Sequence, residues 1–136
     1  MSEKPKVGVG IFLIKDNKIL LLKRKGAHGE GSWCTPGGHL EFKESLEECS
    51  KREVLEETGI KIETAEFLTV TNDIFEGENK HYLSVFMKAE IKDQEPQNIE
   101  PDRHVALEWF SWDNLPENLF LPLQNLLNSG FNLFKN

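Results

Sequence analysis

The chain has 136 residues, and its 23 acidic side chains outnumber 16 lysines and arginines to give a formal net charge of −7. This excess of negative charge argues against a general surface for nucleic-acid polymers or anionic membranes. A hydrophobic content of 38% is typical of a packed globule rather than a disordered chain.

We expect one domain spanning residues 1–136 with a single core, because this length is ordinary for a domain. The two cysteines, Cys34 and Cys49, form neither a CxxC pair nor a disulfide framework, which favours a reducing compartment. The sequence contains neither a signal-peptide pattern nor an apolar run long enough to span a membrane. It therefore predicts a cytoplasmic protein without a membrane partner.

The first predicted elements are the two strands of a hairpin. Residues 7–14 form an apolar run typical of a strand buried on both faces, and residues 19–23 return after a polar turn at 15–18. Gly8 and Gly10 fall on one face of the first strand, which therefore lacks side chains there. That bare face predicts either close packing or a recess for a flat base.

A glycine-rich segment at residues 27–37 follows and is expected to be a loop. The densest positive charge near it comes from Lys23, Arg24 and Lys25. Arg24 is predicted to contact phosphate or base, since a guanidinium can bond two oxygens at once. Lys23 and Thr35 are further candidate substrate-binding residues, whereas the alternative for the basic residues is a solvated strand end.

An amphipathic helix is predicted next. Ser45 is a plausible N-cap with Glu48 three residues later, which is a capping-box pattern. Gly59 can take the positive φ of a helix C-terminus, so we expect the helix to end near Thr58.

The core-facing stripe of this helix is unusual because its second half is acidic. Like charges three or four residues apart repel by roughly 0.2–0.5 kcal/mol per pair, and burial would raise their pKa values. A hard divalent cation would relieve the repulsion, and Mg²⁺ is such an ion. The alternative is a solvated acidic face. The predicted stripe consists of Leu46, Cys49, Glu53, Glu56, Glu57 and Ile60.

The remaining elements suggest a mixed sheet between helices. Glu100 is either an extra metal ligand, a base or a solvated loop carboxylate. Trp109 and Trp112 are expected to anchor the core, and Phe131 and Phe134 to dock locally or at a partner subunit. The predicted segments are strands at 62–71, 82–91 and 105–111, a polar turn at 72–81, a loop at 93–103, a helix near 119–127 and a tail at 130–136.

The spacing of the glycine and the carboxylates is specific. Gly38 is followed after five residues by Glu44, and after seven more by residues 52–60, REVLEETGI. This pattern resembles the complete signature of the Nudix hydrolases, and every fixed position matches. The box, residues 38–60, covers 23 of the 136 residues. The resemblance implies an α/β fold, namely an α/β/α sandwich with a mixed β-sheet in which the box forms loop–helix–loop.

The resemblance also implies hydrolysis of a nucleoside diphosphate linked to another group, with Mg²⁺ as cofactor and Mn²⁺ as an alternative. Glu53 and Glu57 would be the principal metal ligands, and Glu56 a further ligand directly or through water. The carbonyl oxygen of Gly38, or of its neighbour Gly37, would complete the set.

Two further box residues would support this site. Arg52 would orient the carboxylates by ion pairing, and Glu44 would brace the loop or bind metal indirectly. The general base stays open among Glu56, Glu57 and Glu100.

Much of the chain outside the box is similar to the MutT-like nucleotide triphosphate diphosphatases. This second resemblance implies release of pyrophosphate from nucleoside triphosphates, including modified or oxidised ones in nucleotide-pool sanitation. The implied partner is a nucleotide rather than a nucleic-acid polymer, and near relatives often form homodimers.

Three alternatives stay open. A coenzyme A signature is not evident and Phe75 lies near the offset of the proline found in many ADP-ribose hydrolases, yet another nucleoside diphosphate derivative is still a possible substrate. A non-catalytic nucleotide sensor usually has a degraded box, and this box is intact. An isopentenyl diphosphate isomerase would need a catalytic cysteine in a histidine-containing segment, and Cys34 lacks that context.

Overall fold

The computed structural model describes residues 3–26 and 28–135. Residues 1, 2, 27 and 136, which fall within the predicted domain, loop and tail, lie outside these ranges. Within the described residues the elements are β1 (Lys6–Lys15), β2 (Lys18–Arg24), β3 (Trp33–Cys34), β4 (Gly37–His39), α1 (Leu46–Thr58), β5 (Glu66–Phe75), β6 (Lys80–Glu90), β7 (His104–Ser111) and α2 (Leu121–Asn128).

The strands form one mixed sheet, as predicted. Its main order is β3-β2-β1-β6-β5, with β4 added to β1 and β7 to β2. The β1–β6 pair is parallel, from Lys6 opposite Tyr82 to Ile14 opposite Glu90, whereas the other pairs are antiparallel. A parallel pair needs a crossover, and α1 together with β5 provides it.

Successive side chains of β1 point to opposite faces of the sheet and pack into two separate hydrophobic cores. Ile11 and Leu13 join the core that contains Val54 of α1. Phe12 joins the other, with Leu123 and Leu126 of α2. The helices therefore cover opposite faces, and the predicted α/β/α layering is confirmed.

The predicted ends of α1 are confirmed. The Ser45 hydroxyl accepts from the Glu48 backbone N–H at 3.0 Å, and Glu48 Oε1 accepts from the Ser45 backbone N–H at 2.8 Å. At the other end Gly59 has φ 76° and donates to the Leu55 carbonyl. A cap of this kind contributes about 1 kcal/mol, which fixes where the helix starts.

The predicted bounds of β5 were wrong, although a strand was expected in this region. The strand starts at Glu66 rather than at residue 62, and it continues to Phe75 through residues 72–75 of the predicted polar turn. Asp73 can lie in this strand because its carboxylate accepts hydrogen bonds from Thr71 and Ser84. The turn itself is a short 3₁₀ segment at Glu76–Glu78.

The predicted glycine-rich loop contains two short strands. β3 pairs with β2, and β4 pairs with β1 through Gly37 opposite Gly10 and Gly38 opposite Val9. The last helix begins at Leu121, two residues later than predicted, because the Phe120 backbone N–H donates to the Trp33 carbonyl at 2.9 Å.

The tryptophans pack as predicted. Trp109 packs against the core on the α1 side. Trp112 contacts the rings of Phe12, Phe131 and Phe134 at centroid distances of 5.7, 6.2 and 6.3 Å. The tail therefore docks locally. None of the described helices has the length and apolar character that crossing a membrane requires.

Lys43 offers a test of local backbone strain. Its φ is 69°, in the left-handed region that a side chain with a Cβ disfavours. Lys43→Gly should raise the free energy of unfolding by about 1 kcal/mol in urea denaturation. Lys43→Ala removes the long side chain but keeps the Cβ, so it should give no gain. Equal stabilisation by both substitutions would contradict the strain argument.

His104 offers a test of pH dependence. Its side chain is buried at the start of β7, and among the described residues its Nδ1 has no hydrogen-bond partner. Burial, with Arg24 and Arg103 adding to it, lowers the pKa of His104 from 6.5 to about 4. The unfolded chain therefore takes up a proton first, and stability is lost as the pH falls from about 6.5 towards 4.

We expect His104→Asn to remove part of this acid sensitivity. The loss in free energy of unfolding between pH 7 and pH 5 should be smaller in the variant by roughly 1–2 kcal/mol. Urea denaturation at both pH values measures it, and the difference at pH 7 gives the cost of the substitution itself. The same pH dependence in both proteins would contradict the assignment.

Candidate active site

A cleft of about 540 Å³ opens where β4 lies between β1 and α1. Side chains from both faces of the sheet reach it, because the two glycines of β4 leave the backbone uncovered. Its lining includes the glycines Gly8, Gly10, Gly37 and Gly38, the carboxylates Glu41, Glu53 and Glu57, the cations Arg24, Lys25, Arg52, Lys80 and Arg103, and the rings of His28, Phe75, Tyr82, Phe86 and Phe120.

Two buried carboxylates lie on the wall formed by α1. Glu53 is 8% exposed and Glu57 is 4% exposed. Glu57 Oε1 accepts from the Gly37 backbone N–H at 3.0 Å. A Cβ added to Gly38 would lie 2.2 Å from Glu53 Oε2, and one added to Gly37 would lie 2.0 Å from the Val9 carbonyl oxygen. Only glycine fits at these two positions.

The two carboxylates are close to each other in a buried environment, where their negative charges repel. Burial raises the pKa of Glu57 from 4.5 to about 9, and the neighbouring Glu53 charge adds to this effect. Burial likewise raises the pKa of Glu53, although the Arg52 guanidinium opposes the shift. Carboxylates held together in this way favour a proton or a cation between them.

Arg52 connects Glu53 to Glu44. Its Nε and Nη2 donate to Glu44 Oε2 and Oε1 at 2.7 and 2.9 Å, and its Nη1 donates to Glu53. The hydrogen bond from Arg52 lowers the pKa of Glu44 to about 2. The structure therefore brings these three predicted residues together, with Glu44 behind Arg52 rather than in the cleft.

The predicted stripe is wrong at Glu56. Its side chain is 51% exposed, does not line the cleft, and contacts Arg52 only at 3.4 Å. The buried side of α1 is centred between the Cys49–Glu53–Glu57 row and the Val54–Thr58 row, so Glu56 falls outside it. Its role as a metal ligand stays a prediction.

The donor set fits a hard divalent cation. In the part of the chain that the structure describes, no three His, Cys, Asp or Glu side chains already converge on one point. Two carboxylates beside the uncovered backbone of Gly37 and Gly38 nevertheless provide hard oxygen donors. Mg²⁺ typically takes one or two carboxylates and completes its shell with water and phosphate oxygens. Glu53 and Glu57, with a glycine carbonyl, could hold Mg²⁺ or Mn²⁺.

Glu100 lies near this pair. The loop before it is attached to the end of α1, where the Gln97 and Ile99 backbone N–H groups donate to the Thr58 and Glu57 carbonyls. Glu100 Oε1 is buried and has no hydrogen-bond partner among the described residues, and its charge helps raise the pKa of Glu57. It is therefore more than a solvated loop carboxylate.

Arg24 lines the cleft, and its contact with phosphate or base stays a prediction. Its guanidinium carbon is 4.0 Å from the centre of the Phe120 ring, and its Nε donates to the His28 carbonyl at 3.0 Å. Lys25 also lines the cleft, but Lys23 does not: its amino group lies 5.9 Å from the Trp33 ring. The Lys23 prediction is corrected, because Lys23 precedes Arg24 in β2 and successive residues of a strand point to opposite faces.

The two glycines of β1 differ in the space that a side chain would have at their positions. A Cβ on Gly10 would lie 2.6 Å from Thr35 Oγ1, so its lack of a side chain makes room for Thr35, which lines the cleft. A Cβ on Gly8 would meet only Tyr82 and the Gly38 carbonyl, at ordinary contact distances. The lack of a side chain at Gly10 therefore allows Thr35 to pack against β1, whereas the lack of one at Gly8 leaves the cleft open.

Sequence reasoning missed the aromatic wall. Phe75 and Tyr82 have ring centres 6.0 Å apart, and Phe75 and Phe120 5.5 Å apart. Phe75 fell in the predicted turn and Phe120 in the predicted helix. The alternation of Tyr82, Ser84 and Phe86 along β6 was the signal that could have found part of this wall.

Comparison with known proteins agrees with this geometry. The model of the NUDIX domain matches residues 4–128. The chain is 33% identical to the ADP-ribose pyrophosphatase of Methanocaldococcus jannaschii, over 85% of this chain and 68% of that protein. It is 26% identical to the oxidized purine nucleoside triphosphate hydrolase of Danio rerio, over 78% of this chain and 66% of that protein.

A solved structure shares the architecture. The MutT NUDIX hydrolase from Burkholderia pseudomallei superimposes with a TM-score of 0.81 and 41% sequence identity, covering 86% of this chain and 91% of that one. Taken with the match over residues 4–128, this likeness shows that the chain belongs to the NUDIX domain family and is MutT-like.

Proposed function

We propose that the protein hydrolyses nucleoside triphosphates, including modified or oxidised deoxynucleotides, to a nucleoside monophosphate and pyrophosphate with Mg²⁺. The observation that carries the proposal is the buried pair Glu53 and Glu57 against the bare backbone of Gly37 and Gly38. The similarity to the Danio rerio hydrolase, whose name gives oxidized purine nucleoside triphosphates, supports the choice of substrate.

The cleft has the charges that a polyphosphate needs. The chain as a whole is acidic, so attraction of an anion must be local. Arg24 and Lys25 provide positive charge in the same cleft as the carboxylates. The guanidinium of Arg24 lies over the Phe120 ring and its Nε donates to the His28 carbonyl, which leaves less side-chain entropy to lose when it binds phosphate oxygens.

The residues of α1 and the neighbouring loop have distinct tasks in this scheme. Glu53 and Glu57 would hold Mg²⁺, which when bound neutralises phosphate charge and lowers the pKa of a bound water. Arg52 keeps Glu53 in position, and Glu44 keeps Arg52 in position. Glu100, whose buried Oε1 accepts no hydrogen bond among the described residues and lies 3.9 Å from Arg103 Nη1, is our candidate to take the proton from the attacking water.

ADP-ribose hydrolysis is the second candidate. The Methanocaldococcus jannaschii relative is named an ADP-ribose pyrophosphatase and is 33% identical. The same carboxylates and cations would act on its diphosphate bridge, and the aromatic wall would face its adenine. The two candidates differ in the group attached to the diphosphate, so assays must separate them.

The test is a substrate panel with the purified protein and Mg²⁺. The panel contains the standard nucleoside triphosphates, 8-oxo-dGTP, nucleoside diphosphate sugars, ADP-ribose and dinucleoside polyphosphates, with products identified by chromatography. Pyrophosphate release from triphosphates with the highest kcat/KM supports the proposal. Faster cleavage of ADP-ribose would favour the second candidate, and binding without any turnover would indicate a sensor.

Glu57→Gln tests the metal-binding pair. It keeps the shape of the side chain but removes a buried carboxyl group whose raised pKa opposes folding at neutral pH, so the melting temperature in EDTA should rise. Millimolar Mg²⁺ should stabilise the wild-type protein but not the variant, and kcat should fall by at least about 100-fold. Differential scanning fluorimetry and the pyrophosphate assay measure these effects.

Glu56→Gln is the matched control on the same helix. Because Glu56 is half exposed and outside the cleft, its loss should lower the Mg²⁺-induced stabilisation and kcat less than the loss of Glu57 does. If Glu57→Gln keeps near-normal turnover, or if Glu56→Gln causes the larger loss, our assignment of the metal site is wrong.

A further inference from the structure

Asp73 is a fully buried carboxylate within β5. Its hydrogen-bond partners in the described residues are three neutral groups rather than a cation. Oδ1 accepts from Asn125 Nδ2 at 2.9 Å, and Oδ2 accepts from Thr71 Oγ1 at 3.0 Å and from Ser84 Oγ. This arrangement connects the edge strand, its neighbour β6 and helix α2.

Ser84 is the member of this network that reaches the cleft. It is 7% exposed and lines the cleft beside Gly8, with which it pairs in the parallel register. The Ser84 hydroxyl donates to Asp73 Oδ2, so its single proton is directed to Asp73. The Ser84 oxygen can therefore only accept a hydrogen bond from a ligand in the cleft.

The surroundings of Ser84 suit a flat aromatic ligand. Gly8 leaves the backbone bare on one side, and the rings of Phe75, Tyr82 and Phe120 line the same cleft. Nucleobases stack on such rings regardless of their identity, so discrimination between bases must come from polar atoms. Ser84 is a short side chain deep in the floor, and an amino group that protrudes from a base reaches such an atom better than a ring N–H.

We propose that Ser84 is a fixed hydrogen-bond acceptor that selects nucleotides whose base carries an exocyclic amino group, and that Asp73 is the positioning residue that fixes it. This inference rests on the proposed nucleotide substrate. It adds that the amino group, rather than the ring as such, decides which bases bind well.

Binding of nucleoside monophosphates tests the inference without requiring hydrolysis. Three pairs each differ by one exocyclic amino group: AMP and purine riboside monophosphate, CMP and 2-pyrimidinone riboside monophosphate, GMP and IMP. The wild-type protein should bind the amino member of at least one pair about tenfold more tightly by isothermal titration calorimetry. Ser84→Ala should reduce that preference to about twofold or less, mainly by weakening the amino member.

Asp73→Leu separates positioning from a merely structural role. The apolar side chain has a similar shape but no acceptor, so the Ser84 hydroxyl proton loses its partner. The Ser84 proton is then free to point into the cleft, and the preference should reverse towards oxo bases, with IMP over AMP and UMP over CMP. A purely structural role would weaken all the nucleotides together.

Thr71→Val is the matched control. It removes another donor to Asp73 from a residue that does not line the cleft, so it should lower stability but keep the amino preference. No discrimination within any pair, or equal discrimination in wild type and Ser84→Ala, would overturn the inference. Failure to cleave triphosphates with an intact amino preference would instead count against the proposed function alone.

Discussion

The site depends on the close approach of two carboxylates to a strip of bare backbone. Glu53 and Glu57 of α1 can lie against β4 only because Gly37 and Gly38 have no side chains; any Cβ would overlap the Val9 carbonyl or the Glu53 carboxylate. Burying two like charges at this distance costs free energy unless a cation joins them. Arg52 compensates Glu53 in part, and Glu44 holds Arg52 from behind. The cleft and the two carboxylates that could hold a divalent cation both centre on this contact.

Other elements of the fold place the remaining residues of the cleft around this contact. The parallel β1–β6 pair carries the floor of the cleft across the sheet, from Gly8 to Ser84. Helix α2 and the residues before it place Phe120 where the guanidinium of Arg24 lies over its ring. The loop before β7 is attached to the end of α1, which brings Glu100 near Glu57. Charge for a polyphosphate and apolar surface for a base therefore come from different parts of the chain.

Local patterns predicted what depends on neighbours in sequence. The capping box at Ser45 and the glycine at position 59 defined α1 correctly, because those interactions close within one turn of helix. The hairpin of β1 and β2 and the mixed sheet followed from apolar runs and their order. Errors appeared where a polar residue is satisfied by a distant partner, as Asp73 is by Asn125, so that β5 extends through a segment with the composition of a turn.

The sequence by itself determined the family and the acidic row of α1, since the spacing from Gly38 through Glu44 to residues 52–60 is a local code. Only the tertiary structure decided which of these carboxylates are buried, because this depends on how the helix is rotated on the sheet, and that rotation left Glu56 in solvent. The same holds for Lys23 and Arg24, whose sides are set by the pairing of β2 with its neighbours. The aromatic wall joins residues 75, 82 and 120, and no local pattern could bring together side chains so far apart in the chain.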